Sequence, residues 1–193
     1  YGDFYKDPFN EIKIDCRSVY GPGKTISASN AAADYRQYFE AILSHGAMLL
    51  IDPTGLACDS RYQSDTRFFA YYDAALNASG WSNCFDDSQI QTSWLLTALA
   101  IGYDWHYDKF TSAQRQDIVN KLAARADYLL AHSSTMLEIP SGLTGSSGYL
   151  HYFKVLRNKF VMTFSALGTV AYALQGDVSE SKRTAWLNKV DEC

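Results

Sequence analysis

Apolar positions along this chain recur at helical rather than strand spacing, in segments separated by Gly, Pro and Asn. Ile90, Trp94, Ala98, Ile101 and Trp105 fall at i, i+4, i+8, i+11 and i+15, one face of a helix, while Leu95, Leu96 and Leu99 make the rest of its surface apolar too. The pattern predicts a helix from Ser88 to Trp105 that is buried on several sides, with Trp94, Leu99 and Ile101 in the core. An aromatic corner follows at Tyr103 to Tyr107. Thr111, with Gln114 three positions on, then has the form of a capping box. In the helix it opens, Ile118, Leu122, Ala126 and Leu129 make a narrower stripe between Arg115, Asp117, Lys121, Arg125 and Asp127, so one side should face water.

The same pattern predicts four more helices. One runs over 32–51 on Tyr35, Phe39, Ile42 and Leu49 and stops at Asp52-Pro53, and another over 64–77 uses Phe68, Tyr72 and Ala75. A second strongly apolar helix, over 155–175, places Phe160, Phe164, Leu167, Ala171 and Leu174 at helical spacing. Gly176 then turns the chain to Ser179, an N-cap candidate for a last helix carrying Trp186, Leu187 and Val190. Residues 1–31, punctuated by Gly21 to Lys24 and Ser27 to Asn30, read as irregular chain wrapping a helical domain over 32–193. Gly21-Pro22-Gly23-Lys24 lacks the frame of a phosphate-binding loop. Six helices, alternately more and less apolar, give an all-α fold of about three helical hairpins.

Composition adds limits. The chain has 193 residues, 47% hydrophobic and 20% charged, enough for one core. A net charge of −4 supplies no general attraction to nucleic acid or to any polyanion, so an acidic ligand needs a local basic cluster. Phe160 to Gly176 carries no charge, but Thr163, Ser165, Thr169, Tyr172 and Gln175 interrupt it, which favours a buried helix over a membrane span. Cys16, Cys58, Cys84 and Cys193 are even in number, dispersed and without metal-site spacing, and point to disulfides in an oxidising compartment. Three pairings remain open, and four buried thiols are the alternative. Asn77-Ala78-Ser79 is a glycosylation sequon, so a secreted, extracellular glycoprotein is expected. The chain starts at Tyr1 with neither an initiator Met nor an apolar leader, as expected of a processed or partial chain.

Chemistry is expected between Ser141 and Lys159. Tyr149, His151, Tyr152 and Phe153 there precede Lys154, Arg157, Asn158 and Lys159 at the start of the apolar helix. Sugars lie on aromatic faces and a uronate carboxylate needs cations or amide donors, and this segment combines both. The plainer reading is a solvated helix start beside core aromatics. His106 reads as corner packing, His45 as part of a helix, and His132 as a helix C-terminus. Asp86 with Asp87 suits a helix start, and Asp104 with Asp108 corner hydrogen bonding, rather than the paired carboxylates of a glycosidase. No metal ligand set, nucleophile elbow or dinucleotide fingerprint is present in the sequence, and no cofactor is expected.

The apolar helix, the Gly102-Tyr103-Asp104-Trp105-His106-Tyr107 corner and the Thr111-x-x-Gln114-Arg115 start of a charged helix resemble the helical domain of heparinase II/III-like and alginate-lyase-like polysaccharide lyases. The likeness runs over Phe85 to Leu130 and more weakly to Leu174. It implies an (α/α) toroid of six hairpins, of which this chain makes about half, so either the chain is an incomplete toroid or the rest of the protein lies beyond Cys193. The implied activity is cleavage of a uronate-containing, acidic polysaccharide by β-elimination. Asn158 would take the family's role of neutralising the uronate carboxylate. Lys159 stands where the family has His or an aromatic residue, so that role does not transfer, and His151 is the substitute acid or base. Tyr149, Tyr152, Arg157 and Lys159 would hold the sugar. The family's Tyr base would fall in a later helix, which leaves a non-catalytic structural or glycan-binding module as the alternative.

Overall fold

Helix follows helix through the computed structural model, which describes residues 25–51, 64–78, 88–132 and 161–191. In chain order these are α1 (Ala28–Ala33), α2 (Tyr35–Ile51), α3 (Ser64–Leu76), α4 (Ser88–Trp105), α5 (Ser112–His132), α6 (161–173) and α7 (Glu180–Asp191). A single 3-10 turn, Tyr107–Lys109, joins α4 to α5. Among the described residues there is no strand.

Local chemistry sets the helix ends. The Thr111 amide donates to Gln114 Oε1 at 2.9 Å, and the Gln114 amide donates back to Thr111 Oγ1 at 3.3 Å, the reciprocal pair of a capping box. Ser179 caps α7 by accepting from the Lys182 amide at 3.4 Å. Ahead of it Gly176 takes φ 93, a left-handed conformation that a side chain would strain. The expectation of irregular chain through residue 31 needs correcting at Ser27 to Asn30. Ser27 accepts from the Asn30 amide at 3.2 Å and starts the short helix α1, so the Ser-Ala-Ser-Asn run is a cap and a first turn. Residues 1–24 lie outside the described residues.

The helices form two layers. Tyr35 and Phe39 of α2 pack on Trp94 early in α4, with ring centroids 6.0 and 4.9 Å apart, and Gly46 near the end of α2 meets Trp105 and His106 at the end of α4. The two helices therefore run parallel. Ser93 and Thr163 share a buried hydroxyl contact of 3.4 Å, and Ile101 and Trp105 share a cleft with Thr169 and Tyr172, so α6 runs parallel to α4 as well. Running the other way, α3 sets Phe68 on His106 (4.6 Å) and Tyr72 against the Leu99 carbonyl (2.8 Å). A second layer of α3, α5 and α7 is tied together by Arg125 to the Leu76 carbonyl (2.6 Å) and by Asp127 to Trp186 Nε1 (3.0 Å) and Lys182 (2.6 Å). The unit is three antiparallel pairs side by side: α2 with α3, α4 with α5, α6 with α7.

One core runs through both layers. Leu99, Leu167 and Leu174 are fully buried and Phe164 nearly so, as the periodicity requires. Trp94 and Ile101, expected beside them, are only half-buried, and Trp105 is 37% exposed. Leu95, Leu96, Ala98, Leu99, Ala100 and Tyr103 of α4 are sealed, whereas Trp94 and Trp105 lie against α2, and Ile101 and Trp105 line the cleft shared with α6. On α5 the buried stripe is Ile118, Leu122, Ala126 and Leu129, as read from the sequence.

Candidate functional site

Tyr149, His151, Tyr152, Arg157, Asn158 and Lys159 lie outside the described residues, as do Asp86, Asp87 and the four cysteines. Residue 161, where the described part of α6 begins, stands beside the first turns of α4 through the Thr163–Ser93 contact. Among the described residues, no cluster of His, Cys, Asp and Glu could hold a metal ion, and no helix is long and apolar enough to cross a membrane.

The remaining histidines are built into the fold. His106 is buried, with Nε2 3.0 Å from the Gly46 carbonyl and its ring against Phe68; burial pushes its pKa down. His45 is 1% exposed and stacks parallel to Tyr71, and burial, helped by the positive charge of Arg67, pushes its pKa down to about 4. His132 lies 2.8 Å from the Tyr128 carbonyl. Arg125 turns inward to cap the end of α3, and burial pulls its guanidinium down to about 9, still charged at neutral pH. These groups hold helices together.

A cleft of about 320 Å³ opens between the C-terminal halves of α4 and α6, lined by Ile101, Asp104, Trp105, Thr169, Tyr172 and Ala173. Its walls are positioned by the corner. The Gly46 backbone lets Trp105 lie against α2, since a Cβ there would sit 3.4 Å from the indole and 3.3 Å from Phe68. Across the cleft, the Tyr103 hydroxyl donates to Asp177 at 2.9 Å, which ties the turn after α6 to α4 and sets Tyr172 beside the α4 end. Tyr172 is 66% exposed. Asp104 is the one carboxylate among the described lining residues. Among the described residues the corner hydrogen bonding expected of Asp104 and Asp108 is not found; both are exposed, and the corner is held by His106 and the backbone instead.

Sequence periodicity placed Trp105 in the buried stripe and counted Tyr172 only as a polar interruption, so it missed this cleft. The available signal was Asp104 beside Trp105 in the last turn of α4, where an apolar helix meets water. A smaller groove between α3 and α5 has its two carboxylates engaged, Asp73 with Asn77 and Asp117 with Lys121, and offers less open chemistry. No family model matches this chain, and neither a curated protein nor a solved structure matches it.

Proposed function

We propose that this chain is an extracellular glycan-binding domain that, as part of a larger (α/α) toroid, serves to cleave uronate-containing polysaccharide by β-elimination. The observation that carries this reading is the layer of three parallel helices, α2, α4 and α6, each followed by an antiparallel partner. Hairpins set side by side in one sense can be extended by further hairpins without reversing any of them. Three of them make half of a six-hairpin ring.

In the proposed reaction, Asn158 neutralises the uronate carboxylate while the C5 proton is removed; the bond from C4 to the leaving oxygen breaks and a C4–C5 double bond forms. Neutralisation matters most as negative charge develops at C5. His151 exchanges the proton, Arg157 and Lys159 hold the carboxylate, and Tyr149 and Tyr152 carry the ring. A charge-assisted contact contributes about 1.5 to 3 kcal/mol, so Arg157→Ala should weaken uronate-oligosaccharide binding about tenfold or more. Asn158→Ala should lower turnover more than binding. Oligosaccharide titration and absorbance of the unsaturated product measure both, and unchanged binding in both variants rejects the assignment.

The alternative, a glycan-binding module without catalysis, is favoured by one observation: His45 and His106 are both committed to the core, so neither is placed to act as an acid or base. Binding of a uronate oligosaccharide with no product from the full-length protein supports this alternative.

A further inference from the structure

We propose that the cleft between α4 and α6 is a subsite for a neutral pyranose ring. Its ligand class rests on the glycan reading above; its location rests on geometry alone. The volume of about 320 Å³ lies at the lower end of small-molecule sites and suits one or two sugar rings.

The lining groups are those a sugar uses. Trp105 and Tyr172 each lack a ring partner and a side-chain hydrogen bond among the described residues, although Tyr172 lies within electrostatic reach of Arg183. Both aromatic groups are therefore available, one backed by the Gly46 backbone and the other largely in water. The C–H face of a pyranose packs on such rings. The Asp104 carboxylate is likewise uncommitted among the described residues and can accept two hydroxyl protons from one sugar. Thr169 donates its hydroxyl to the Ser165 carbonyl at 2.7 Å, so toward the cleft it can only accept.

Charge decides between sugars. Asp104 is the only charged side chain among the described lining residues, so a uronate or sulfated ring would bring like charges together, whereas a neutral ring meets a carboxylate acceptor, an indole and a phenol. A quaternary ammonium would suit the aromatic groups but offers no hydrogen-bond donor to the Asp104 carboxylate. An apolar peptide would bury Asp104 without a donor.

The test titrates the full chain calorimetrically with cellohexaose, mannohexaose, hexamannuronate and tetramethylammonium. At least one neutral hexasaccharide should saturate the protein. Trp105→Ala and Tyr172→Ala should each weaken that binding about tenfold. Asp104→Asn should weaken the neutral sugar about fivefold and strengthen hexamannuronate binding. Tyr172 is largely exposed, so its variant keeps the fold and remains informative if Trp105→Ala does not fold. The proposal is overturned if neither neutral sugar binds, if Tyr172→Ala binds as tightly as the parent, or if tetramethylammonium competes for the same site. Neutral binding without any uronate binding would reject the lyase reading and leave this subsite standing. Uronate cleavage without neutral binding would do the reverse.

Discussion

His45 is the residue at which burial and protonation conflict most sharply. Its pKa in the fold is about 4, below the roughly 6.5 of an unfolded chain. Between those values the unfolded state holds more protons than the fold, so stability is full above pH 6.5 and falls as pH drops toward 4. The difference amounts to about 3 kcal/mol, and His106, also pushed down by burial, adds in the same direction. Urea unfolding from pH 7 to 4 should show that decline. His45→Phe, which keeps a ring against Tyr71, should flatten the slope; an unaltered slope would remove His45 as its source. The position of His45 in a helix was readable from sequence. Its neutrality was not, because that depends on Tyr71 and Arg67, which lie on another helix.

At the level of elements, what the sequence made legible was whatever local chemistry decides. The Thr111–Gln114 box and the α5 stripe came out as read, since capping and periodicity act over a few residues. Thr111→Ala removes both the cap hydroxyl and its contact with Gln114, and should cost about 1 kcal/mol of stability, read as a lower urea midpoint at constant m-value. A midpoint within error of the parent would mean the box is incidental. The faces of α4 were less legible. Apolar residues surround that helix, so periodicity could not choose between Trp94–Ile101–Trp105 and Leu95–Leu99–Tyr103. The neighbours chose: Leu95, Leu99 and Tyr103 are closed in, whereas Ile101 and Trp105 border the cleft between α4 and α6. Of the cleft, the sequence offered only Asp104 beside Trp105, since its other wall comes from a helix far along the chain.

Across the whole molecule, side-by-side hairpins make stability a matter of neighbours. Hairpin α6–α7 meets the rest through α4 and α5, and Trp186 is its fully buried anchor, bonded to Asp127 of α5. Trp186→Ala should cost about 3 to 5 kcal/mol. By hydrogen exchange, α6 and α7 should then open earlier, while α2 and α3 keep their protection until global unfolding. Uniform loss of protection would instead mark all three hairpins as one cooperative unit.

The parallel course of α2, α4 and α6 also gives the molecule an electrical direction. Every peptide dipole in that layer points the same way, so the partial positive charges of the α2 and α4 N-termini gather at the end holding Tyr35 and Ser88. The partial negative charges gather at the end holding Ile51, Trp105 and residue 173, beside Asp104. An acidic group is favoured at the first end and disfavoured at the second. A sugar chain with charged and uncharged units, laid along this layer, would therefore have a preferred orientation, and reversing it would place its carboxylates against the negative end.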